Sequence, residues 1–184
     1  MRTGLRSPLG AQAPSGVTTP CDAELAYIAG FLDADGCVNA QIVRRSDYAL
    51  RFQIRPSITF YQKTKRYWIL QDLHRILGRG VLRKKNNGMS EYTITQAQDV
   101  LYTLQLVSKY ARVKQPQLKL LYQILHQRTK KNDVHQFLQK CVLVDRFADL
   151  NDSKRRTLRV ETVVETLRTL GLHSIPVETI NESG

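Results

Sequence analysis

Leu25-Ala26-Tyr27-Ile28-Ala29-Gly30-Phe31-Leu32-Asp33-Ala34-Asp35-Gly36 is the stretch of sequence that decides the fold. Ala26, Ala29, Gly30 and Asp33 recur at intervals of three and four residues, which predicts a helix with Asp22 as its N-cap and Gly36 as its stop. A face of small residues lets a second helix backbone approach closely. The chain holds one copy of this helix, so the sequence predicts that the second copy comes from another subunit, in a twofold dimer.

The same helix ends in an acid pair, Asp33 and Asp35. When two such helices pack together their Asp35 carboxylates converge, and they repel unless a cation lies between them. Oxygen ligands of this kind take Mg²⁺, which in turn activates water and stabilises the leaving oxygen of a phosphodiester. The alternative is a capped helix that ends in a surface Asp-x-Asp-Gly turn.

The residues that follow predict an antiparallel sheet and further helices, in an α+β fold. Two-residue alternation marks strands at 38–43 and 50–61, joined by a turn at 45–49, and two shorter strands at 80–85 and 91–95 around the turn at 86–88. Helical periodicity marks residues 64–77, 97–110, 117–127, 134–150 and 153–170, the last ending at Gly171. Pro56 cannot donate to a ladder, so it is expected where pairing is absent.

Positive charge is the strongest compositional signal. The 184 residues contain 28 Lys and Arg against 16 Asp and Glu, a net charge of +12. The segment 44–85 holds 12 of the basic residues and only two acids, Asp47 and Asp72. Such a bias favours a nucleic-acid partner over a generically basic soluble protein.

The polar face of the predicted sheet carries side chains that match base edges. Arginine suits guanine, glutamine suits adenine, and a two-stranded ribbon fits the major groove. The residues of this kind at strand spacing are Gln41, Arg51, Gln53, Arg55, Thr59 and Arg83. The alternative is a solvated polar face, which the charge bias disfavours.

Other features limit the class of protein. Three widely spaced cysteines and four histidines form no zinc-ligand spacing, and no apolar run reaches the length of a membrane span. We expect one domain at 22–171, a C-terminal tail at 172–184, and at 1–21 a disordered leader or an organellar transit segment. Lys154 and the two arginines after it open the last predicted helix, where they fit either a docked phosphate or a surface charge run.

The motif at Ala26–Gly36 resembles that of the LAGLIDADG homing endonucleases. The resemblance continues in order along residues 22–170 and is similar to the single-motif, homodimeric branch of that family. It is carried further by Ala40-Gln41-Ile42, Thr59-Phe60, Gln62-Lys63-Thr64 with Arg66 and Trp68, Lys114-Gln115 with Gln117, and Leu150-Asn151-Asp152-Ser153-Lys154.

The resemblance implies an enzyme that cuts both strands of a long, pseudo-palindromic DNA target by metal-dependent hydrolysis, on a saddle-shaped antiparallel sheet. It implies that Asp35 and the Ala34 carbonyl bind the metal, Mg²⁺ with Mn²⁺ also supporting cleavage, and that Gln62, Arg66 and Lys114 complete the catalytic set. Ala26, Ala29, Gly30 and Asp33 would form the dimer interface, and the host compartment would be an organelle, the chloroplast. The implied DNA contacts are Gln41, Val43, Arg45, Ser46, Tyr48, Arg51, Gln53, Arg55, Ser57, Thr59, Lys63, Val81, Arg83, Lys85, Glu91, Lys114, Ser153 and Lys154.

Two other functions fit the same scaffold. An intron RNA maturase and a catalytically silent DNA-binding protein both predict the basic sheet. A silent binder has no need of Asp35, Gln62, Arg66 and Lys114 together, which favours an enzyme.

Overall fold

Four antiparallel strands form one sheet in the computed structural model, which describes residues 20–127, 130, 132–151 and 158–172. The strands are β1 (Gly36–Arg44), β2 (Phe52–Lys63), β3 (Val81–Lys84) and β4 (Met89–Ile94), in the order β1-β2-β4-β3. The helices are α1 (Asp22–Asp35), α2 (Tyr67–Leu77), α3 (Ala97–Val107), α4 (Gln115–His126), α5 (Val134–Asp145), α6 (Phe147–Leu150) and α7 (Val160–Thr169). The α+β prediction is confirmed.

Helix α1 starts and stops for local reasons. Cys21, not Asp22, is its N-cap, and the Glu24 carboxylate accepts a hydrogen bond from the Cys21 amide at 2.9 Å. The helix continues to Asp35, and the chain turns into β1 at Gly36. A Cβ at Gly36 would lie 2.5 Å from the Leu32 side chain and 2.6 Å from the Leu32 carbonyl, so only glycine fits this tight turn.

One hydrophobic core joins the sheet to the helices. Most even-numbered side chains of the strands face this core, and Ile58, Phe60 and Tyr92 are fully buried in it together with Ile28 and Leu32 of α1. Each large apolar side chain buried in this way contributes about 1.5–3 kcal/mol. Odd-numbered side chains point to the opposite face and stay exposed or half-buried, with the exception of Thr59.

The register explains how Pro56 is accommodated. Pro56 lies opposite Ala40 in the β1–β2 ladder. At the end of the same ladder, Arg45 and Arg51 form a hydrogen-bonded pair, in which the Arg45 amide donates to the Arg51 carbonyl at 2.8 Å. Hydrogen-bonded pairs alternate with non-bonded pairs in antiparallel ladders, so the Pro56–Ala40 pair is a non-bonded one. The Pro56 nitrogen therefore faces the other edge of β2, where pairing with β4 begins only at Ile58.

Several predicted element boundaries shift. Strand β2 begins at Phe52 rather than Leu50, because Arg51 has a left-handed backbone with φ +62°, and β4 begins at Met89 rather than Glu91. Residues 64–66 form a 3-10 turn before α2, α3 stops at Val107, and a break at Arg146 separates α5 from α6.

The last helix starts later than predicted. Residues 158 and 159 are not helical, and α7 begins at Val160, whose amide donates to the Asp145 carboxylate of α5 at 2.8 Å. A cap supplied from another helix sets this boundary, so the sequence pattern alone placed it too early.

Some predictions fall outside the described residues. Residues 1–19 of the predicted leader at 1–21, Ser153 and Lys154 with the arginines after them, and the tail beyond 172 lie there. No helix in the described ranges is long and apolar enough to cross a membrane.

Candidate active site and nucleic-acid interface

The end of α1 is fastened to the loop that precedes α4. The Asp33 carboxylate accepts hydrogen bonds from the backbone amides of Arg112 at 2.7 Å and Lys114 at 2.9 Å. Burial alone would raise the pKa of Asp33, but the amides of Arg112, Lys114 and Val113 outweigh burial and lower that pKa below its usual value. Asp33 is thus an ionised anchor within its own chain.

The Lys114 side chain also contacts the end of α1. Its ammonium donates to the Asp33 carbonyl at 3.2 Å, and Lys114 itself is the N-cap residue of α4. A cation is therefore held at the carboxyl end of α1, two residues before Asp35, where a helix end also favours positive charge.

Asp35 is the free acid of the motif. It is the last residue of α1 and is exposed, and across the described parts of the chain its carboxylate has no hydrogen-bond or ion-pair partner. Ala34 beside it is also exposed, and the helix end leaves the Ala34 carbonyl without a helical partner.

Gln62 lies near the end of β2, the strand that pairs with the start of β1, and Arg66 lies in the turn that follows it. Gly36, the residue after Asp35, lies opposite Phe60 of β2. Gln62 lies two residues beyond Phe60 in the same strand. Its side-chain oxygen accepts from the Lys63 amide at 2.9 Å. Arg66 is exposed at the end of the 3-10 turn, which the Thr64 amide ties to the Gly88 carbonyl at 2.8 Å.

The oxygen donors at this helix end fit a hard divalent cation. Mg²⁺ prefers carboxylate and carbonyl oxygens, which Asp35 and Ala34 offer, and it keeps waters or phosphate oxygens in its remaining positions. Within the residues that the structure describes, no three His, Cys, Asp or Glu side chains group together. One chain therefore offers part of a ligand set, which a second chain, a phosphate or water would complete.

The odd-numbered face of the sheet gathers most of the predicted DNA contacts. Gln41 lies opposite Arg55, Val43 opposite Gln53, and Arg83 opposite Glu91. Thr59 lies on this face too, but only 6% of it is exposed and its hydroxyl accepts from Thr93, so it has the poorest access of the set. The members that are exposed are Gln41, Arg55, Lys63, Val81 and Arg83, and those that are half-buried are Val43, Gln53, Ser57 and Glu91.

One carboxylate on this face is already neutralised. The Lys85 ammonium is 2.6 Å from the Glu91 carboxylate and lies 5.6 Å from the centre of the Tyr61 ring. The hydrogen bond to Glu91 raises the pKa of Lys85, and burial raises the pKa of Tyr61. Lys85 and Glu91 therefore act as a pair rather than as two independent contacts.

The hairpin tip between β1 and β2 holds four more of the predicted contacts. Arg45, Ser46, Tyr48 and Arg51 all lie there, and Arg51 Nη1 donates to the Ser46 carbonyl at 2.5 Å. Arg51 is thus a loop residue rather than the strand residue that was predicted.

The small-residue face of α1 divides into two parts. Ala26 and Gly30 are exposed, as is Tyr27 beside them. Ala29 is completely buried in the core of its own chain, so its side chain cannot contact a second subunit and the interface prediction for Ala29 is corrected. Asp33 binds the loop before α4 within its own chain, which limits it as an interface residue.

Three further residues share the polar face of the sheet. Asn39 lies opposite Ser57, Thr93 opposite both Thr59 and Val81, and Tyr61 opposite Glu91. Alternation along β1 and β2 was sufficient to find Asn39 and Tyr61. Thr93 required the register of β4, which no local pattern reveals.

The arrangement suits a protein that acts on nucleic-acid phosphates. Comparison with known protein families identifies the class of protein. The sequence profile described as LAGLIDADG endonuclease matches residues 28–125. The chain belongs to the LAGLIDADG endonuclease family, as the motif predicted.

Two curated relatives extend the likeness along most of the chain. DNA endonuclease I-CvuI of Chlorella vulgaris is 42% identical over 148 residues, which cover 80% of this chain and 92% of the relative. DNA endonuclease I-CreI of Chlamydomonas reinhardtii is 34% identical over 147 residues, which cover 79% and 90%.

Solved structures agree with the fold. I-CvuI in complex with its target in the presence of Ca has a TM-score of 0.78 and 40% identity, covering 83% of this chain and 97% of that one. I-CvuI with the I-CreI target in the presence of Mg, its DNA not cleaved, gives the same values. The archaeal intron-encoded endonuclease I-Vdi141I, complexed with DNA, has a TM-score of 0.70 at 18% identity, covers 83% of this chain and 99% of its own, and shows the fold alone.

Proposed function

We propose that this chain is a site-specific double-strand DNA endonuclease that acts as a homodimer. The observation that carries the proposal is the Asp35 carboxylate, which is exposed and has no partner among the described residues, with the Lys114 ammonium held nearby on the Asp33 carbonyl at 3.2 Å. A helix that merely ended at the surface would need neither the free acid nor the fixed cation. I-CvuI and I-CreI, named DNA endonucleases, support the same activity.

The dimer follows from the incomplete site. One chain brings one Asp35 to the helix end, and the exposed Ala26 and Gly30 leave room for a second helix to approach closely. Twofold packing of α1 on its copy brings two Asp35 carboxylates together and places two sheets side by side. The DNA target is then a long, approximately palindromic site.

The polar face of the sheet binds the DNA. Arg55, Arg83 and Lys63 are exposed there and supply charge to phosphates or guanine edges, while Gln41 and Gln53 offer amides to bases. The hairpin tip extends this surface beyond the strands.

At the scissile phosphate, the chain's own groups orient the reaction. Asp35 and the Ala34 carbonyl would hold Mg²⁺, or Mn²⁺ through the same oxygen donors. Once bound, the ion would supply activation of water and stabilisation of the leaving oxygen. The Lys114 ammonium adds positive charge where phosphate charge develops, and Gln62 and Arg66 hydrogen-bond the water and phosphate oxygens. The structures of I-CvuI solved with Mg and with Ca support a divalent ion.

We further propose that the protein acts in an organelle, the chloroplast. The algal origin of the two curated relatives supports this assignment. The location of the reading frame, in chloroplast or nuclear DNA, tests it.

The deciding experiment is a cleavage assay on duplex DNA with a randomised site, with Mg²⁺, with Mn²⁺ and with a chelator. We expect a symmetric site cut in both strands, in the presence of either ion and not with the chelator. Specific binding without cleavage under every condition would instead indicate a silent DNA-binding protein. Selective binding of a structured intron RNA, with no preference among DNA sites, would indicate a maturase.

A further inference from the structure

The hairpin tip holds the Arg45 side chain from two sides. Arg45 Nε donates to Asp47 Oδ1 at 2.9 Å and Nη2 donates to Asp47 Oδ2 at 2.6 Å, a two-pronged contact. Nη1 donates to the Gln53 side-chain oxygen at 3.1 Å. The guanidinium also lies 5.0 Å from the centre of the Tyr48 ring. These contacts fix both the position of the guanidinium and the plane in which its donors point.

Two donors of Arg45 remain. A guanidinium has five N–H groups and no acceptor, and Asp47 and Gln53 use three of the five. One N–H stays on each of Nη1 and Nη2, and 38% of the side chain is exposed. A guanidinium that presents N–H donors on both Nη1 and Nη2 can match the O6 and N7 acceptors of guanine in the major groove.

The backbone beneath Arg45 is also well defined. The Arg45 amide donates to the Arg51 carbonyl at 2.8 Å, and the Tyr48 amide donates to the Arg45 carbonyl at 3.2 Å. Arg51 keeps a left-handed backbone with φ +62° and closes the tip through its bond to the Ser46 carbonyl at 2.5 Å. The guanidinium is therefore mounted on a closed turn and not on a loose loop.

Asp47 is otherwise an unfavourable residue at this place. It is one of two acids among residues 44–85, and a carboxylate at a tip that approaches DNA repels phosphates. The hydrogen bond from Arg45 lowers the pKa of Asp47 to about 2, so the carboxylate keeps its charge even in mildly acidic solution. Asp47 offsets its repulsion of phosphates by fixing the orientation of the Arg45 guanidinium.

We propose that Asp47 is a positioning residue that fixes the Arg45 guanidinium, so that Arg45 reads a guanine at one position in each half of the DNA target. This inference rests on the proposed DNA-binding function. Asp47 contacts no base itself and acts through Arg45. A two-pronged arginine–guanine contact is worth roughly 5- to 150-fold in preference over the wrong base.

The test compares base preferences among matched variants. The wild-type homodimer, Asp47→Asn, Arg45→Ala and Asp72→Asn each select sites by binding from randomised duplex DNA, and cleavage of the selected sites is scored separately. Asp72 is the matched control because it is an exposed acid with an arginine partner, Arg75 at 3.7 Å, on α2 and away from the polar face of the sheet. Both acid-to-amide changes add one unit of positive charge per chain.

We expect the wild type to prefer guanine at one symmetric pair of positions. Arg45→Ala removes that preference. Asp47→Asn lowers the guanine preference to within about twofold of the value for Arg45→Ala, because an arginine that rotates freely discriminates poorly between bases. Asp72→Asn keeps the full preference, and Asp47→Glu restores part of it. All other positions keep their preferences in every variant.

Three results would overturn the inference. The first is a guanine preference that Asp47→Asn leaves unchanged, which would show that Arg45 needs no positioning by Asp47, or makes sharper, which would show that Asp47 competes with DNA for Arg45. The second is an equal loss in Asp47→Asn and Asp72→Asn, which would make the effect one of net charge. The third is an unchanged profile in Arg45→Ala. A wild type that binds selectively but never cuts would contradict the endonuclease function while leaving this test intact, and a wild type that selects no site contradicts both.

Discussion

Asp33 and Lys114, 81 positions apart in the sequence, bind each other twice: the Asp33 carboxylate accepts from the Lys114 amide at 2.9 Å and the Asp33 carbonyl accepts from the Lys114 ammonium at 3.2 Å. The first acid of the motif is thus a structural anchor, whereas the second, Asp35, binds no group in the part of the chain that the structure describes. The following predictions separate these two roles.

Replacing Asp33 with Asn should destabilise the fold by about 1–3 kcal/mol at pH 7, because backbone amides of the loop before α4 lose an acceptor. The folded pKa of Asp33 is lowered, so its contribution is present above the unfolded pKa of about 3.9 and is lost as the pH falls through the folded pKa. Urea unfolding at pH 7 and pH 3 should show a gap between wild type and variant that shrinks in acid. Equal stability at pH 7 would contradict the anchor role, and Asp72→Asn is the control.

Replacing Asp35 with Asn should reduce cleavage by about 10³-fold or more, because the cation loses its carboxylate ligand. Site-specific DNA binding should persist or strengthen slightly, since two like charges no longer meet at the dimer interface. Plasmid linearisation measures cleavage, and a gel shift in Ca²⁺ measures binding. Normal cutting by the variant in Mg²⁺ would show that the catalytic assignment is wrong.

Replacing Gly30 with Leu should separate the subunits and leave each chain folded. An added Cβ at Gly30 meets nothing within 4 Å in the single chain, and leucine favours a helix more than glycine does. Light scattering should report a monomer mass, with unchanged helix content by circular dichroism. Gln71→Leu, at an exposed position of α2, is the control and should remain dimeric; a dimeric Gly30→Leu would place the interface elsewhere.

DNA binding should depend steeply on salt. A footprint of six or more phosphates predicts that affinity falls by roughly 10³-fold or more between 50 and 200 mM salt. Arg55→Ala, on the polar face of the sheet, should weaken binding and, if Arg55 binds a phosphate, lower the salt slope by about one for each phosphate that it neutralises. Arg75→Ala on α2 should change neither quantity, and a flat salt response in the wild type would remove the proposed footprint.

The sequence by itself determined the parts of the molecule that depend on near neighbours. Spacing of three and four residues predicted α1, and alternation predicted the two faces of β1 and β2, because side-chain direction follows directly from backbone period. The same rules placed Gln41, Arg55 and Arg83 on one face, and the family motif singled out Asp35. The α+β fold and the family were both available before any coordinates.

Only the tertiary structure decided which distant groups meet. The binding of Asp33 to the loop before α4, the burial of Ala29, the place of Thr93 beside Thr59 and the start of α7 at an acid of α5 all depend on contacts between separate elements. The short hairpin tip is another example. Arg51 turns the backbone there, and this turn brings Arg45 into contact with both Asp47 and Gln53. A local pattern fixes where a side chain points, but its partner is set by the packing of the whole chain.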